Sequence, residues 1–148
     1  MTKIRVTKIF EFDTAHALHN YDGLCSNIHG HTYKLHVTVI GEPISDHSSP
    51  KYGMVVDFGV LKNKIKENLV DKFDHSLIVS RDESGNFTNG SPIFRRIHVV
   101  DFQPTAENIV AHFAELIKPL LPDGVELFSL RLYETSTSFA EWYASDNC

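Results

Sequence analysis

The sequence predicts an α+β fold in which four strands form one sheet and two helices pack on one face. Three observations lead there. Alternating apolar residues mark strands near both ends of the chain, two stretches carry helical periodicity behind good N-caps, and the elements run strand, strand, helix, strand, helix, strand. Ile4, Val6, Phe10 and Phe12 share one face of a first strand, Ile4 to Phe12. Residues 13 to 28 read as a loop carrying His16, His19 and Cys25. Tyr33, Leu35, Val37 and Val39 alternate along a second strand that Gly41-Glu42-Pro43 ends. Asp57 is a good N-cap for a helix with the stripe Phe58, Leu61, Ile65 and Leu69, ending near Val70 or Asp71. Ser80 to Ser91, rich in Gly, Asn, Ser and Thr, reads as a loop, and Ile97 to Phe102 as a third strand. Thr105 caps a second helix, with Glu107 favourable to its first-turn dipole and Ile109, Val110, Phe113, Ile117 and Leu120 as its buried stripe. Leu127 to Glu134 is the last strand, and Trp142 and Tyr143 fall in a tail.

No repeat, linker or boundary interrupts residues 1–148, so a single domain is expected, with a core of respectable size. Hydrophobic content of 42% beside 22% charged residues is the balance of a globular chain. A net charge of −5 argues against a nucleic-acid partner, which would call for a basic excess. No apolar run approaches the roughly 20 residues of a membrane span. Met1-Thr2-Lys3-Ile4-Arg5 lacks the apolar core of a signal peptide, and two cysteines make no disulfide framework, so a cytoplasmic location is expected. A small open sheet has two unpaired edges, which fits oligomerisation.

His29-Gly30-His31 leads directly into the second strand. A strand projects residues i and i+2 from one face, about 6.6 Å apart, so two imidazoles can converge on one ion while the glycine between them leaves room for an approaching group. His16 sits where the first strand would end. Three imidazoles leave a divalent zinc with an open fourth position, the arrangement of a catalytic site. Nine histidines in 148 residues make chance pairs common, and an isolated His-x-His is most often two ordinary histidines. His16 and Cys25 together tip the balance towards a metal site.

Cys25 lies in the polar loop Gly23-Leu24-Cys25-Ser26-Asn27, four residues before His29. A nearby cation would stabilise its thiolate as nucleophile or base. Alternatively the thiol is a fourth ligand that closes a structural site. Asp74-His75 is either a carboxylate orienting an imidazole or an ordinary helix C-terminus with a favourably placed histidine. Glu134 continues the face of Phe128, Leu130 and Leu132, so it stands either at the strand's wet end or ready to accept hydrogen bonds from a ligand. His19, His36, His47, His98 and His112 attract no site assignment, and Cys148 is terminal.

In chain order come Phe12-x3-His16, Cys25-x3-His29-Gly30-His31-x-Tyr33, Val56-Asp57-Phe58-x2-Leu61-Lys62, Asp74-His75-x-Leu77, Pro104-Thr105-x-Glu107-Asn108 and Glu134-Thr135. With these motifs the chain, from about residue 4 to 137, resembles the family of 6-pyruvoyl-tetrahydropterin and 6-carboxytetrahydropterin synthases. The resemblance implies a tunnelling (T-) fold, with a four-stranded antiparallel sheet and two helices on one face. It implies trimers that close a twelve-stranded barrel, pairs of trimers stacked as a homo-hexamer, and sites between subunits. By similarity His16, His29 and His31 bind zinc, which holds the side-chain hydroxyls of 7,8-dihydroneopterin triphosphate. Cys25 is then the proton acceptor with Asp74 and His75 as relay partners, Glu134 anchors the pterin ring, and Thr105 lies near the same pocket. The short Cys25-to-His29 spacing is similar to the branch that releases acetaldehyde and triphosphate and makes 6-carboxytetrahydropterin for the queuosine and deazapurine pathway. The pyruvoyl branch usually has a longer spacing. A third variant carries glutamate in place of the cysteine, and Cys25 counts against it. Thr32 departs from the usual Asn or Ser, Ser80 to Gln103 is longer than in compact members, and Lys51, Arg95 and Arg96 are candidate cations for a triphosphate, whose binding residues the resemblance does not assign. A different class, a non-enzymatic zinc-binding assembly module, would keep the fold while Cys25 closed the site.

Overall fold

A computed structural model describes residues 1–87 and 91–148. Alternation carries the chain through two long strands, β1 (Ile4–Ala17) and β2 (His29–Gly41), paired antiparallel along their length from Ile4 opposite Gly41 to His16 opposite His29. Four shorter strands complete the sheet: β3 (Ser76–Ser80), β4 (Ile97–Val100), β5 (Glu126–Thr135) and β6 (Ser138–Tyr143). The order across the sheet is β4-β3-β1-β2-β5-β6.

Six strands replace the four expected. The sheet is also mixed, because β3 runs parallel to β1 and β4 parallel to β3, while the remaining pairs are antiparallel. Two strands escaped the sequence reading for different reasons. Every residue of β3 is buried, so Leu77-Ile78-Val79 shows no alternation, as is usual for strands covered on both faces. β6 follows β5 across only Ser136 and Thr137, and it buries the Trp142 read as part of a tail. Positions 88–90 of the expected Ser80–Ser91 loop lie outside the described residues, and 3-10 turns occupy Arg81–Asn86 and Pro92–Phe94.

Both helices start at their expected caps. The Asp57 carboxylate accepts the Gly59 N–H at 2.7 Å to start α1 (Phe58–Ile65). That helix runs on past Val70, through a π turn (Lys66–Val70) into a last turn, α2 (Asp71–Phe73). The Thr105 hydroxyl accepts the Asn108 N–H at 3.3 Å to start α3 (Ala106–Ile117). The helices lay Leu61, Ile65, Leu69, Ile109, Phe113 and Ile117 against Phe10, Phe12, Leu35, Val37, Leu130 and Leu132 of the sheet. Each such side chain contributes roughly 1.5–3 kcal/mol on burial, and Phe113→Ala would cost about 3–5 kcal/mol. One end of this same sheet face carries histidines instead of hydrocarbon.

Candidate metal centre

β1 extends to Ala17, so His16 belongs to a strand rather than to the loop expected there. Register does the rest. His16 stands directly opposite His29, and Thr14 opposite His31, which puts His31 diagonal to His16. Alternation turns all three rings to the face of Phe12 and Tyr33. Ring centroids are 4.5 Å apart for His16 and His29 and 5.1 Å for the other two pairs. One ligating atom from each ring lies within 4.8 Å of the others.

The protonation pattern is set by backbone. The His16 Nδ1–H donates to the Pro104 carbonyl at 2.7 Å, and the His29 Nδ1–H donates to the Asn27 carbonyl at 2.7 Å. A carbonyl only accepts, so these contacts place each proton on Nδ1 and leave the Nε2 lone pair free. The Nε2 atoms of His16, His29 and His31 are all buried without a hydrogen-bond partner. Buried nitrogens are rarely left so. Three buried, unpartnered ring nitrogens close together, two of them with orienting bonds behind, fit a metal ion. Burial holds the His16 pKa below its usual value, outweighing the Pro104 carbonyl and the Glu134 charge, which favours the neutral, ligating form.

Glu134 adjoins this centre: its Oε1 lies 3.6 Å from His31 Nε2. Both line a cavity of about 600 Å³ together with Thr32, Lys34, His36 and Tyr133. The strand face that Glu134 continues thus ends at a cavity. The sequence marks Tyr33 as a strand and motif residue without a site role, yet its hydroxyl approaches His16 Nδ1 at 3.5 Å. Burial first, and Glu134 second, push the Tyr33 phenol above its usual pKa and keep it protonated.

Asp74 and His75 form a turn of their own. The His75 Nδ1 is 3.1 Å from an Asp74 carboxylate oxygen, which also accepts the Asp13 N–H at 2.9 Å. Partial burial raises the Asp74 pKa, but the Asp13 N–H and His75 outweigh it and hold the carboxyl below its usual value. The His75 side chain is 76% exposed. It shares a second cavity, of about 370 Å³, with Asp13, Gly30, His31 and Thr32. A Cβ on Gly30 would meet nothing closer than the Thr14 carbonyl oxygen at 3.5 Å. The backbone therefore tolerates a side chain at position 30, and glycine keeps the surface beside the His75 cavity low.

Cys25 sits half-exposed on a 3-10 turn (Leu24–Ser26), and its carbonyl accepts the Leu18 N–H at 2.9 Å. Among the described residues the converging donor group holds the three histidines and not this thiol. Thr105 spends its hydroxyl oxygen on the α3 cap, one residue after the carbonyl that orients His16. Two of the expected phosphate-binding cations are engaged elsewhere. Lys51 pairs with Asp57 and lines a cavity with Ile40 and Gly41, at the other end of β2 from the histidines. The Arg96 guanidinium is committed to the carbonyls of Asp71, Lys72 and Asp74. Arg95 is exposed.

A mixed sheet with helices on one face, presenting three clustered imidazoles beside a cavity lined by Glu134, defines an α+β protein whose three histidines could hold a metal ion. The chain belongs to the 6-pyruvoyl tetrahydropterin synthase family, whose sequence profile matches residues 5–145. It is 37% identical over 141 residues to a 6-carboxy-5,6,7,8-tetrahydropterin synthase of Haemophilus influenzae, covering 93% of this chain and 97% of that one. A Rickettsia felis protein of the same name is 35% identical over 146 residues, covering 93% and 99%. Among solved structures, an uncharacterized protein of Wolinella succinogenes superposes with a TM-score of 0.78 at 24% identity, covering 97% and 99%. The Caenorhabditis elegans 6-pyruvoyl tetrahydropterin synthase superposes with a TM-score of 0.71 at 22% identity, covering 97% of each chain. The fold is the T-fold of that family.

Proposed function

We propose that the protein is a 6-carboxy-5,6,7,8-tetrahydropterin synthase, a lyase that converts 7,8-dihydroneopterin triphosphate to 6-carboxytetrahydropterin, acetaldehyde and triphosphate. The carrying observation is the trio of buried, unpartnered Nε2 atoms of His16, His29 and His31 beside Glu134. The names and coverage of the Haemophilus and Rickettsia relatives support the choice of product, as does the Cys25-x3-His29 spacing.

Zinc is the ion this donor set fits, held by His16, His29 and His31. When bound, it would act as a Lewis acid on the side-chain hydroxyls of the substrate and favour loss of a carbon-bound proton. Cys25, outside the ligand set, takes that proton as a thiolate. The Asp74 carboxylate orients the His75 ring from 3.1 Å, and His75 passes the proton onward. Glu134 accepts hydrogen bonds from the guanidine-like edge of the pterin, and Thr105 keeps its hydroxyl proton to donate at the same pocket. Cys25, His75 and the histidine centre lie on separate elements of one chain, and the His75 side chain faces outward. That separation supports sites completed between subunits in a homo-hexamer built from two trimers. The setting is the cytoplasm, in the queuosine and deazapurine pathway.

Incubation of the metal-loaded protein with 7,8-dihydroneopterin triphosphate, followed by mass spectrometry, tests this. The proposal expects 6-carboxytetrahydropterin with acetaldehyde. A pterin that retains its three-carbon side chain would move the protein to the pyruvoyl branch, and an unchanged substrate would favour a non-enzymatic assembly module.

A further inference from the structure

Between β3 and α3 three side chains reach back: Arg96 to the turn that carries His75, and Gln103 and Glu83 to His19, next to the Leu18 N–H that meets the Cys25 carbonyl. Arg96 closes the end of the helix before Asp74. Its Nη2 donates to the carbonyls of Asp71, Lys72 (3.1 Å) and Asp74 (2.9 Å), and its Nε donates to Asp74 at 3.1 Å. A helix end leaves its last carbonyls without partners and carries partial negative charge, so a forked cation fits there. Just beyond this clamp His75 adopts φ +58°, the left-handed region that β-carbons disfavour. Asp13 holds the turn from the other side, donating its N–H to the Asp74 carboxylate and accepting the His75 N–H at 2.6 Å. A strained residue of this kind persists only where its surroundings overdetermine it.

The second contact is with the Cys25 loop. The Gln103 side-chain amide makes two hydrogen bonds to the His19 backbone, accepting its N–H at 2.8 Å and donating to its carbonyl at 2.8 Å. Glu83 accepts from His19 Nδ1 at 2.6 Å, and Asn86 donates to the same carboxylate at 2.7 Å. The neighbouring Leu18 N–H reaches the Cys25 carbonyl. Gln103 is itself anchored at the start of α3, where its carbonyl accepts from Asn108 Nδ2 at 3.0 Å.

The geometry points to a two-ended brace: Arg96 positions the Asp74–His75 turn, and Gln103 with Glu83 positions the Cys25 loop. These are positioning residues. Their action rests on the reading of Cys25 and His75 as proton-transfer groups, so the test separates the two claims. Metal-loaded Gln103→Met and Arg96→Ala are compared with wild type in a Cys148→Ser background, which leaves Cys25 as the only thiol. Three readouts are taken: kcat and KM on 7,8-dihydroneopterin triphosphate, the rate of Cys25 alkylation by iodoacetamide, and the NMR resonances of the His75 ring.

Each variant should lose about 10- to 100-fold in kcat, the scale of a misplaced reacting group, with metal stoichiometry and KM unchanged. Gln103→Met should alter Cys25 alkylation and leave the His75 resonances in place, and Arg96→Ala should do the reverse. Arg96→Lys should recover only part of the loss, since a lone ammonium cannot supply the second, Nε donor that the guanidinium fork gives the Asp74 carbonyl, and it stands in if Arg96→Ala does not fold. Wild-type Cys25 alkylation in folded Gln103→Met together with wild-type His75 resonances in folded Arg96→Ala overturns the brace. So does a perturbation of both readouts by each variant, which marks general loosening. Wild-type turnover in Cys25→Ala and His75→Ala would instead overturn the proton-transfer roles, while alkylation and NMR still judge the brace.

Discussion

Removing one imidazole should uncouple metal from stability, and the structure sets the scale. Without an ion the buried Nε2 atoms of His16, His29 and His31 have no hydrogen-bond partner in the protein. An unsatisfied buried polar atom costs about 1–3 kcal/mol, so three cost roughly 3–9 kcal/mol where water does not reach them. A metal that satisfies all three binds the folded chain in preference to the unfolded one. At a free concentration about 1,000 times its Kd the gain is about 4 kcal/mol. For a chain of 148 residues, each kcal/mol moves the unfolding midpoint by about 2–4 °C. Zinc should therefore raise Tm by roughly 8–16 °C over the EDTA-treated protein at fixed protein concentration. His29→Ala should abolish that rise and bind less than stoichiometric zinc. His36→Ala supplies the control, because His36 Nε2 is also buried and unpartnered yet stands outside the converging group. It should keep the full shift. Differential scanning fluorimetry with metal analysis reads all three proteins. An equal zinc-induced rise in His29→Ala and wild type would refute the three-histidine assignment.

Cys25→Ala should keep zinc and assembly but lose at least about 10²-fold in turnover, the usual scale for a removed general base, and steady-state kinetics on metal-loaded protein check this. Glu134→Ala should weaken substrate binding by about 1–3 kcal/mol, because donors on the pterin edge are left unpaired; a fluorescence titration with the substrate measures it. Thr105→Ala removes the acceptor at the start of α3 and should destabilise the fold by about 1 kcal/mol in urea unfolding. The His16 pKa is lowered in the folded chain. Below about pH 6.5 the unfolded chain then binds a proton that the folded one resists, so stability is present above that pH and lost as pH falls. His16→Gln should flatten that part of the pH–Tm curve in metal-free protein.

The parts of this molecule that repeat locally were legible, and those that depend on distant partners were not. Asp57 and Thr105 announce both helices, because an N-cap acts within three residues of itself. His29 and His31 announce a shared face because strand alternation is local. The convergence of His16 with them depends on the register of β1 against β2, which spacing alone does not specify. β3 was invisible because burial on both faces erases alternation. β6 is short, and Phe139, Glu141 and Tyr143 put aromatic and charged groups on its exposed face, so it resembled a tail. Arg96 could be recognised as a cation but not as a helix cap, since its acceptors lie 22 to 25 residues earlier.

X-ray absorption at the zinc edge of the metal-loaded protein tests the open, three-histidine centre most directly. The predicted first shell has three nitrogens and one oxygen at about 2.0–2.1 Å and no sulfur. A sulfur scatterer at about 2.3 Å, lost in Cys25→Ala, would make the thiol a ligand, close the site and contradict Cys25 as the base.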